Sequence, residues 1–248
     1  MKKCLNLAKL GLNKTQTNPL VGCVIVHNEK IVASGYHEKY GGPHAERNAI
    51  NNLKKKHPNK YKSILSNSTI YINLEPCSHF GKTPPCTDLI LKYQIPNAVI
   101  GTLDPYKEVN GLGIKKLNKA TKVIVGVNEE LCLDLNKKYF INQKYQRPWI
   151  LLKWAESQDG FINTKSKGST QISGKDSVKL CHKWRSEIDA IMVGTNTVLN
   201  DNPYLTTRYF KGKNPIRITI DRKNMLEQKL FNIMNKDSKT IILQEKDG

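Results

Sequence analysis

Thr69-Ile70-Tyr71-Ile72-Asn73-Leu74-Glu75-Pro76-Cys77 is the stretch that decides the fold. Its β-branched and aromatic residues predict a strand, and proline ends the ladder because it has no N–H to donate. A cysteine therefore stands just past a strand end. Upstream, Val21-Gly22-Cys23-Val24-Ile25-Val26 is a near-continuous apolar run that predicts a buried strand. His27-Asn28-Glu29-Lys30 makes a turn, and Ile31-Val32-Ala33-Ser34-Gly35 returns as the second strand of a hairpin. Asn18-Pro19 separates the hairpin from a helix over 2–12, with Leu5, Ala8 and Leu12 among its apolar positions. Gly41-Gly42-Pro43 leads into a helix over 44–56, with proline near its first turn. Downstream, Pro84-Pro85 precedes a helix from Cys86 to Tyr93. A strand over 98–101, a helix over 113–119 and a strand over 123–125 follow. This order predicts an α/β layered domain with a mostly buried sheet over residues 1–145.

Residues 142–148 turn polar and basic and close on Pro148, which reads as a junction. A second α/β pattern then occupies 146–248. Its expected strands are Trp149–Trp154, Asp189–Val193, Ile216–Ile220 and Thr240–Leu243, with a helix over 176–185. A chain of 248 residues has room for two modest cores.

Composition removes several function classes. No apolar run approaches the roughly 20 residues of a membrane span, and the N-terminus lacks the apolar stretch of a signal peptide. The expected location is the cytoplasm, with no membrane partner. Six cysteines there do not suggest a disulfide framework. Cys4, Cys23, Cys132 and Cys181 sit in apolar segments and read as small core residues. The net charge of +19 invites a nucleic-acid reading. Against it, residues 1–145 hold 22 Lys/Arg to 10 Asp/Glu and residues 146–248 hold 18 to 11, so the excess is spread along the chain. The cations are 34 lysines to 6 arginines, beside 24 asparagines, a drift in composition more than a phosphate groove, where arginine is favoured.

The chemistry concentrates in two segments, Pro43-His44-Ala45-Glu46 and Glu75-Pro76-Cys77 running on to Pro85-Cys86. Imidazole and thiolate are zinc ligands, and three protein ligands leave a fourth position for water, the pattern of a catalytic site. His44, Cys77 and Cys86 are the candidate ligands of one Zn²⁺ per chain. Cys86 begins a helix, where the dipole favours thiolate. Glu46, two residues from His44, is the candidate proton carrier between water, a ring nitrogen and a departing amine. The set predicts hydrolytic deamination. His37 and His79 read as structural or as neighbours of the ligands.

Zinc nucleobase deaminases carry H-x-E followed by P-C-x-x-C. Here eight residues, Ser78 to Pro85, separate the cysteines. That insert closely resembles the deaminase half of the bifunctional riboflavin-biosynthesis deaminase/reductase family, as do Thr17-Asn18-Pro19-Leu20-Val21-Gly22, Pro43-His44-Ala45-Glu46 and Leu74-Glu75-Pro76-Cys77. Past the junction, Leu152-Lys153-Trp154-Ala155-Glu156-Ser157-Gln158-Asp159-Gly160, Val193-Gly194-Thr195-Asn196-Thr197-Val198-Leu199, Asp201-Asn202-Pro203 and Leu205-Thr206-Thr207-Arg208 resemble its reductase half.

The resemblance implies a cytidine-deaminase-like three-layer domain, then an incomplete dihydrofolate-reductase-like α/β domain. It implies loss of the 2-amino group of 2,5-diamino-6-ribosylamino-4(3H)-pyrimidinone 5′-phosphate, a small-molecule pyrimidine ribose phosphate, as ammonia. Asn18 would meet the pyrimidine edge, Lys82 and Thr83 the ribose phosphate, and Asp104 the ribose or amine. In the reductase half, Ser169, Arg185, Leu205 and Arg208 would contact substrate, the arginines its phosphate. Ala155, Thr197 and Asp201 would face NADPH, with Gln171 standing where many relatives have a tryptophan on the cofactor. The family continues past residue 248 with a glycine-rich segment that cradles the cofactor pyrophosphate. The expectation is thus that deamination survives here while NADPH-dependent reduction of the ribose is lost or supplied elsewhere. Relatives imply a homo-oligomer. The alternatives are a cytidine- or tRNA-type zinc deaminase, and a non-enzymatic basic module with a structural zinc.

Overall fold

The computed structural model describes residues 1–81, 83–163, 170–226 and 230–245. The chain divides into two compact units, Met1–Ile150 and Leu151–Gly248.

The first unit is built on strands β1 (Gly22–His27), β2 (Lys30–Tyr36), β3 (Ser68–Ile72), β4 (Asn97–Ile100) and β5 (Lys122–Val125). They lie in the order β2-β1-β3-β4-β5. The β1–β2 and β1–β3 pairs are antiparallel, while β3–β4 and β4–β5 are parallel. Its helices are α1 (Lys2–Ala8), α2 (Ala45–Lys56), α3 (Tyr61–Leu65), α4 (Cys86–Lys92), α5 (Leu112–Leu117), α6 (Glu129–Leu135) and α7 (Lys137–Tyr145).

Two glycines show which helix covers which face. A Cβ on Gly35 would strike the backbone of Ala45 and Ala49 in α2, and one on Gly22 would strike Cys4 in α1. Cys23 pairs with Gly35 and Gly22 with Tyr36. Successive strand residues face opposite ways, so α1 and α2 lie on opposite faces of the sheet. This is the expected three-layer arrangement. The α2 face carries Cys23, Ile25, Ile70, Ile72, Ala98 and Ile100, buried with Ala49, Ile50, Leu53, Ile90 and Leu117. Both metal-site loops leave from this side and end of the sheet.

The sequence reading needs local correction. The first helix ends at Ala8 and continues as a 3-10 turn, Lys9–Gly11. The junction expected at 142–148 is largely helix α7, which buries none of its residues. A helix polar on every side carries no stripe to distinguish it from a linker. Cys4, Cys23 and Cys132 are fully buried as expected, whereas Cys181 is only half-buried.

In the second unit, α8 (Lys175–Glu187), β6 (Ala190–Gly194), α9 (Thr195–Asp201), β7 (Ile216–Ile220) and β8 (Thr240–Leu243) form a parallel sheet in the order β6-β7-β8 with its helices. Val198, Leu205, Leu226, Phe231 and Ile233 make its core. The strand expected over 149–154 is absent: Leu152 and Trp154 are exposed, and the segment joins no ladder among the described residues. A continuous apolar run forms a strand only when both its faces are covered.

Candidate metal centre

β3 ends at Ile72, and the chain runs through buried Asn73, Leu74 and Glu75 to Cys77. His44 is the N-cap of α2 and makes no side-chain cap, so its ring is available to the site. Cys86 opens α4 behind Pro85, whose fixed φ suits a helix start. Three local structures thus deliver His44 Nδ1, Cys77 Sγ and Cys86 Sγ to one point, within 4.8 Å of one another. Each sulfur is 3.5 Å from Nδ1. Zinc bonds of ~2.3 Å to sulfur and ~2.05 Å to nitrogen at the tetrahedral angle place those atoms about 3.5 Å apart. The donor set and its spacing fit a tetrahedral zinc.

The thiols are electronically unlike. Hydrogen bonding from the Cys86 thiol, aided by His44 and the Cys86 N–H, brings the Cys77 thiol down to about 4. The Cys86 thiol is pushed up by that same hydrogen bond and by burial. The hydrogen bond to Cys77 raises the His44 imidazole. Glu46 is 3% exposed, and burial raises its carboxyl above the ordinary value. A carboxyl tuned upward beside a metal site is better suited than an ordinary one to accept and return a proton.

His37 is buried and lies edge-on to His44 at 5.6 Å between centroids. Its Nδ1–H donates to the Pro43 carbonyl at 3.1 Å, so its Nε2 accepts from the Asn18 amide, also at 3.1 Å. Burial keeps the ring neutral by lowering its pKa. Asn18 is thereby brought to the site with its amide nitrogen committed to His37. The loop carrying it is held by two buried asparagines. Asn136 accepts from Leu20 N–H and donates to Leu20 C=O, while Asn73 accepts from Gly22 N–H and donates to Leu20 C=O. These residues, with Glu75, escaped the sequence reading; their partners are backbone groups up to 116 residues away, and no local signal marks them.

Asp104 follows β4. Its Oδ1 accepts from Tyr139 O–H at 2.8 Å and from Tyr106 N–H at 2.9 Å, and burial raises its carboxyl to about 6. It borders a cavity of about 340 Å³ with Thr102, Asn110, Phe140 and Lys144. Thr83 stands in the insert between the cysteines with its hydroxyl buried. Lys82 and Ser169 lie outside the described residues.

In the second unit, Arg185 Nη1 donates to Thr206 C=O at 2.8 Å and Arg208 Nη1 to Thr206 Oγ1 at 3.2 Å, so the two guanidinium groups meet at one residue. His182 accepts from Arg208 N–H at 2.9 Å and is held neutral by burial, its pKa lowered to about 4. Leu205 has a left-handed backbone and a side chain in the core, so its backbone is what it can offer a ligand. Thr197 and Asp201 are on α9, Ala155 lies in neither helix nor strand, and Gln171 donates to Ser173 C=O at 2.7 Å.

Comparison with known proteins agrees with this geometry. Residues 1–102 match the family model for the cytidine and deoxycytidylate deaminase zinc-binding region, and residues 148–247 match that for the RibD C-terminal domain. The chain is 41% identical over 250 residues to the riboflavin biosynthesis protein RibD of Aquifex aeolicus, covering all of this chain and 68% of that protein. It is 45% identical over 222 residues to RibD of Actinobacillus pleuropneumoniae, covering 89% of this chain and 57% of the other. The crystal structure of a Thermotoga maritima diaminohydroxyphosphoribosylaminopyrimidine deaminase/5-amino-6-(5-phosphoribosylamino)uracil reductase superposes with a TM-score of 0.89 at 40% identity, over all of this chain and 69% of that one. The chain thus spans between 57% and 69% of the length of these relatives. With a zinc-binding deaminase region, a reductase-type C-terminal domain and this identity across its whole length, the chain belongs to the RibD family of riboflavin biosynthesis proteins.

Proposed function

We propose that this chain removes the 2-amino group of 2,5-diamino-6-ribosylamino-4(3H)-pyrimidinone 5′-phosphate by zinc-dependent hydrolysis, giving 5-amino-6-(5-phosphoribosylamino)uracil and ammonia. The carrying observation is the His44–Cys77–Cys86 triad at tetrahedral spacing with buried Glu46 two residues from its histidine. His44, Cys77 and Cys86 would hold Zn²⁺, which when bound lowers the pKa of coordinated water toward about 7. Glu46 takes a proton from the attacking water, passes it to the ring nitrogen next to C2, and delivers a second to the leaving amine. A C–O bond forms at C2 as the C–N bond breaks, so the sum is water in and ammonia out. Asn18, fixed by His37, holds the pyrimidine edge, and Thr83 with Lys82 takes the phosphate end.

Residues 1–145 are the deaminase unit and 146–248 a reductase-type unit. In the latter, Arg185, Arg208, Leu205 and Ser169 bind the deaminated product, while Ala155, Gln171, Thr197 and Asp201 meet NADPH. No described helix is long and apolar enough to cross a membrane. In this proposal the protein is a cytoplasmic homo-oligomer. The test is ammonia release from the pyrimidine phosphate by the zinc-loaded chain, with Glu46→Gln alongside and NADPH oxidation followed separately on the deaminated product. Ammonia release unaffected by Glu46→Gln would refute the mechanism, and absence of NADPH turnover on the deaminated product would count against the roles given to the second unit.

A further inference from the structure

The insert between the cysteines holds an arrangement that zinc chemistry leaves unused. Three side-chain polar atoms in it or against it are buried without a hydrogen-bond partner among the described residues: Arg47 Nε, His79 Nδ1 and Thr83 Oγ1. Arg47 stands one turn along α2 from His44, so the two side chains project from the same side of the helix. Arg47 Nη2 donates to the Pro84 carbonyl at 3.3 Å, which lays the guanidinium against the residue that follows Thr83. Arg47 is half-buried, and it forms no ion pair with a carboxylate among the described residues.

A buried donor left without a partner costs about 1–3 kcal/mol. Three such atoms around one loop are not explained by packing, because an aliphatic side chain at position 47 would fill the same space without that cost. A guanidinium clipped by one Nη to the carbonyl of Pro84, next in sequence to Thr83, with its Nε–H unpartnered among the described residues, matches what a phosphate monoester needs: charge, and donors set for more than one oxygen. His79, in the same insert, has its ring edge-on to Tyr106 at 5.7 Å.

We propose that Arg47 is a phosphate-binding residue of the deaminase site, holding the 5′-phosphate of the pyrimidine ribotide together with the Thr83 hydroxyl. The inference rests on the deaminase reading above and deepens it, making Arg47 a determinant of preference for the phosphorylated substrate.

The test compares wild type, Arg47→Ala and Arg47→Lys as zinc-loaded full-length chains, with the ribotide and with its dephosphorylated form. Charge-assisted hydrogen bonds of ~1.5–3 kcal/mol translate into a KM for the ribotide about 10- to 150-fold higher in Arg47→Ala. Its kcat should stay within about twofold, and its KM for the dephosphorylated form should not move. Arg47→Lys, which keeps the charge without the fork, recovers part of the loss. A merely structural clip to Pro84 predicts instead a fall in kcat, or equal KM shifts for both substrates, and either result overturns the proposal. Calorimetric titration with ribose 5-phosphate needs no turnover and separates the two readings. It is run in an Arg208→Ala background to silence the arginine pair of the second unit. Binding weakened at least about tenfold by Arg47→Ala supports the site even if no ammonia is released, whereas equal binding overturns it. If Arg47→Ala fails to hold zinc, Arg47→Lys carries both measurements.

Discussion

Replacing Glu75 by glutamine tests how the metal loop is held. Glu75 is 4% exposed, and its carboxylate gathers three backbone donors from the segment after β4: Asp104 N–H at 3.2 Å and Gly111 N–H at 3.0 Å on Oε2, Ile114 N–H at 3.2 Å on Oε1. Gly113 lies so close that a Cβ there would sit 2.4 Å from Pro76 O. One carboxylate thus ties the Asp104 loop and the start of α5 to the residue two before Cys77. Glutamine can accept on only one of its two terminal atoms. Its best choice keeps the Asp104 and Gly111 bonds and sets its NH₂ against Ile114 N–H, donor to donor. Leaving that N–H without an acceptor costs about 1–3 kcal/mol, and reducing two charge-assisted bonds to neutral ones costs about 1 kcal/mol each. The neutral amide is cheaper to bury, which returns part of this, so the net expectation is about 2–4 kcal/mol. Hydrogen exchange reads the local opening directly. The amides of Gly111 and Ile114 should exchange ~30- to 1,000-fold faster in Glu75→Gln, and zinc affinity by chelator competition should fall with them. Exchange within threefold of wild type at both amides would mean that the loop is held by something other than this carboxylate.

The remaining predictions concern separate parts of the molecule. Cys77→Ser should reduce the zinc:protein ratio from near one toward zero after dialysis against a mild chelator, whereas Glu46→Gln should keep its zinc and lose about 10²–10⁴ in kcat; elemental analysis and ammonia release check both. Asp104 has its carboxyl raised from 3.8 to about 6 by burial, so the native state binds the extra proton between these values. Its contribution is then fully present below about pH 4 and is lost as pH rises through about 6, by up to ~3 kcal/mol. Asp104→Asn, which can keep both Oδ1 bonds, should flatten that slope in unfolding curves taken from pH 4 to 7; an unchanged slope would count against the assignment. Arg217 is fully buried in β7, and its guanidinium donates to the carbonyls of Tyr204, Asn232, Asn235 and Ser238 and to Asn235 Oδ1. Arg217→Lys cannot reach all five and should destabilise the second unit by about 3–5 kcal/mol, read as a lower unfolding midpoint for a probe confined to that unit.

The zinc residues were legible because imidazole, thiolate and carboxylate are scarce and their order along the chain is dictated by chemistry. His-Ala-Glu on a helix start and a cysteine past a strand end each carry their own local signal, and the tertiary structure only had to bring them together. The strands of the first sheet were legible for a similar reason: a buried sheet demands near-continuous apolar runs, and Val21–Val26 and Thr69–Leu74 show them. What stayed hidden are side chains whose whole role is to satisfy another segment's backbone. Asn136 is one asparagine among 24 in an asparagine-rich chain, and its partner, Leu20, is 116 residues away. Nothing near either residue announces the other. Its consequence reaches the proposed substrate site, since the same loop carries Asn18. Asn136→Leu tests that link: it leaves Leu20 N–H without an acceptor while Asn73 still serves Leu20 C=O, a loss of about 1–3 kcal/mol confined to this loop. The Leu20 amide should exchange faster and KM for the pyrimidine should rise, while zinc content stays unchanged because His44, Cys77 and Cys86 are held by other elements. Loss of zinc in that variant would show that the Asn18 loop and the metal centre are one cooperative unit instead of two parts joined through His37.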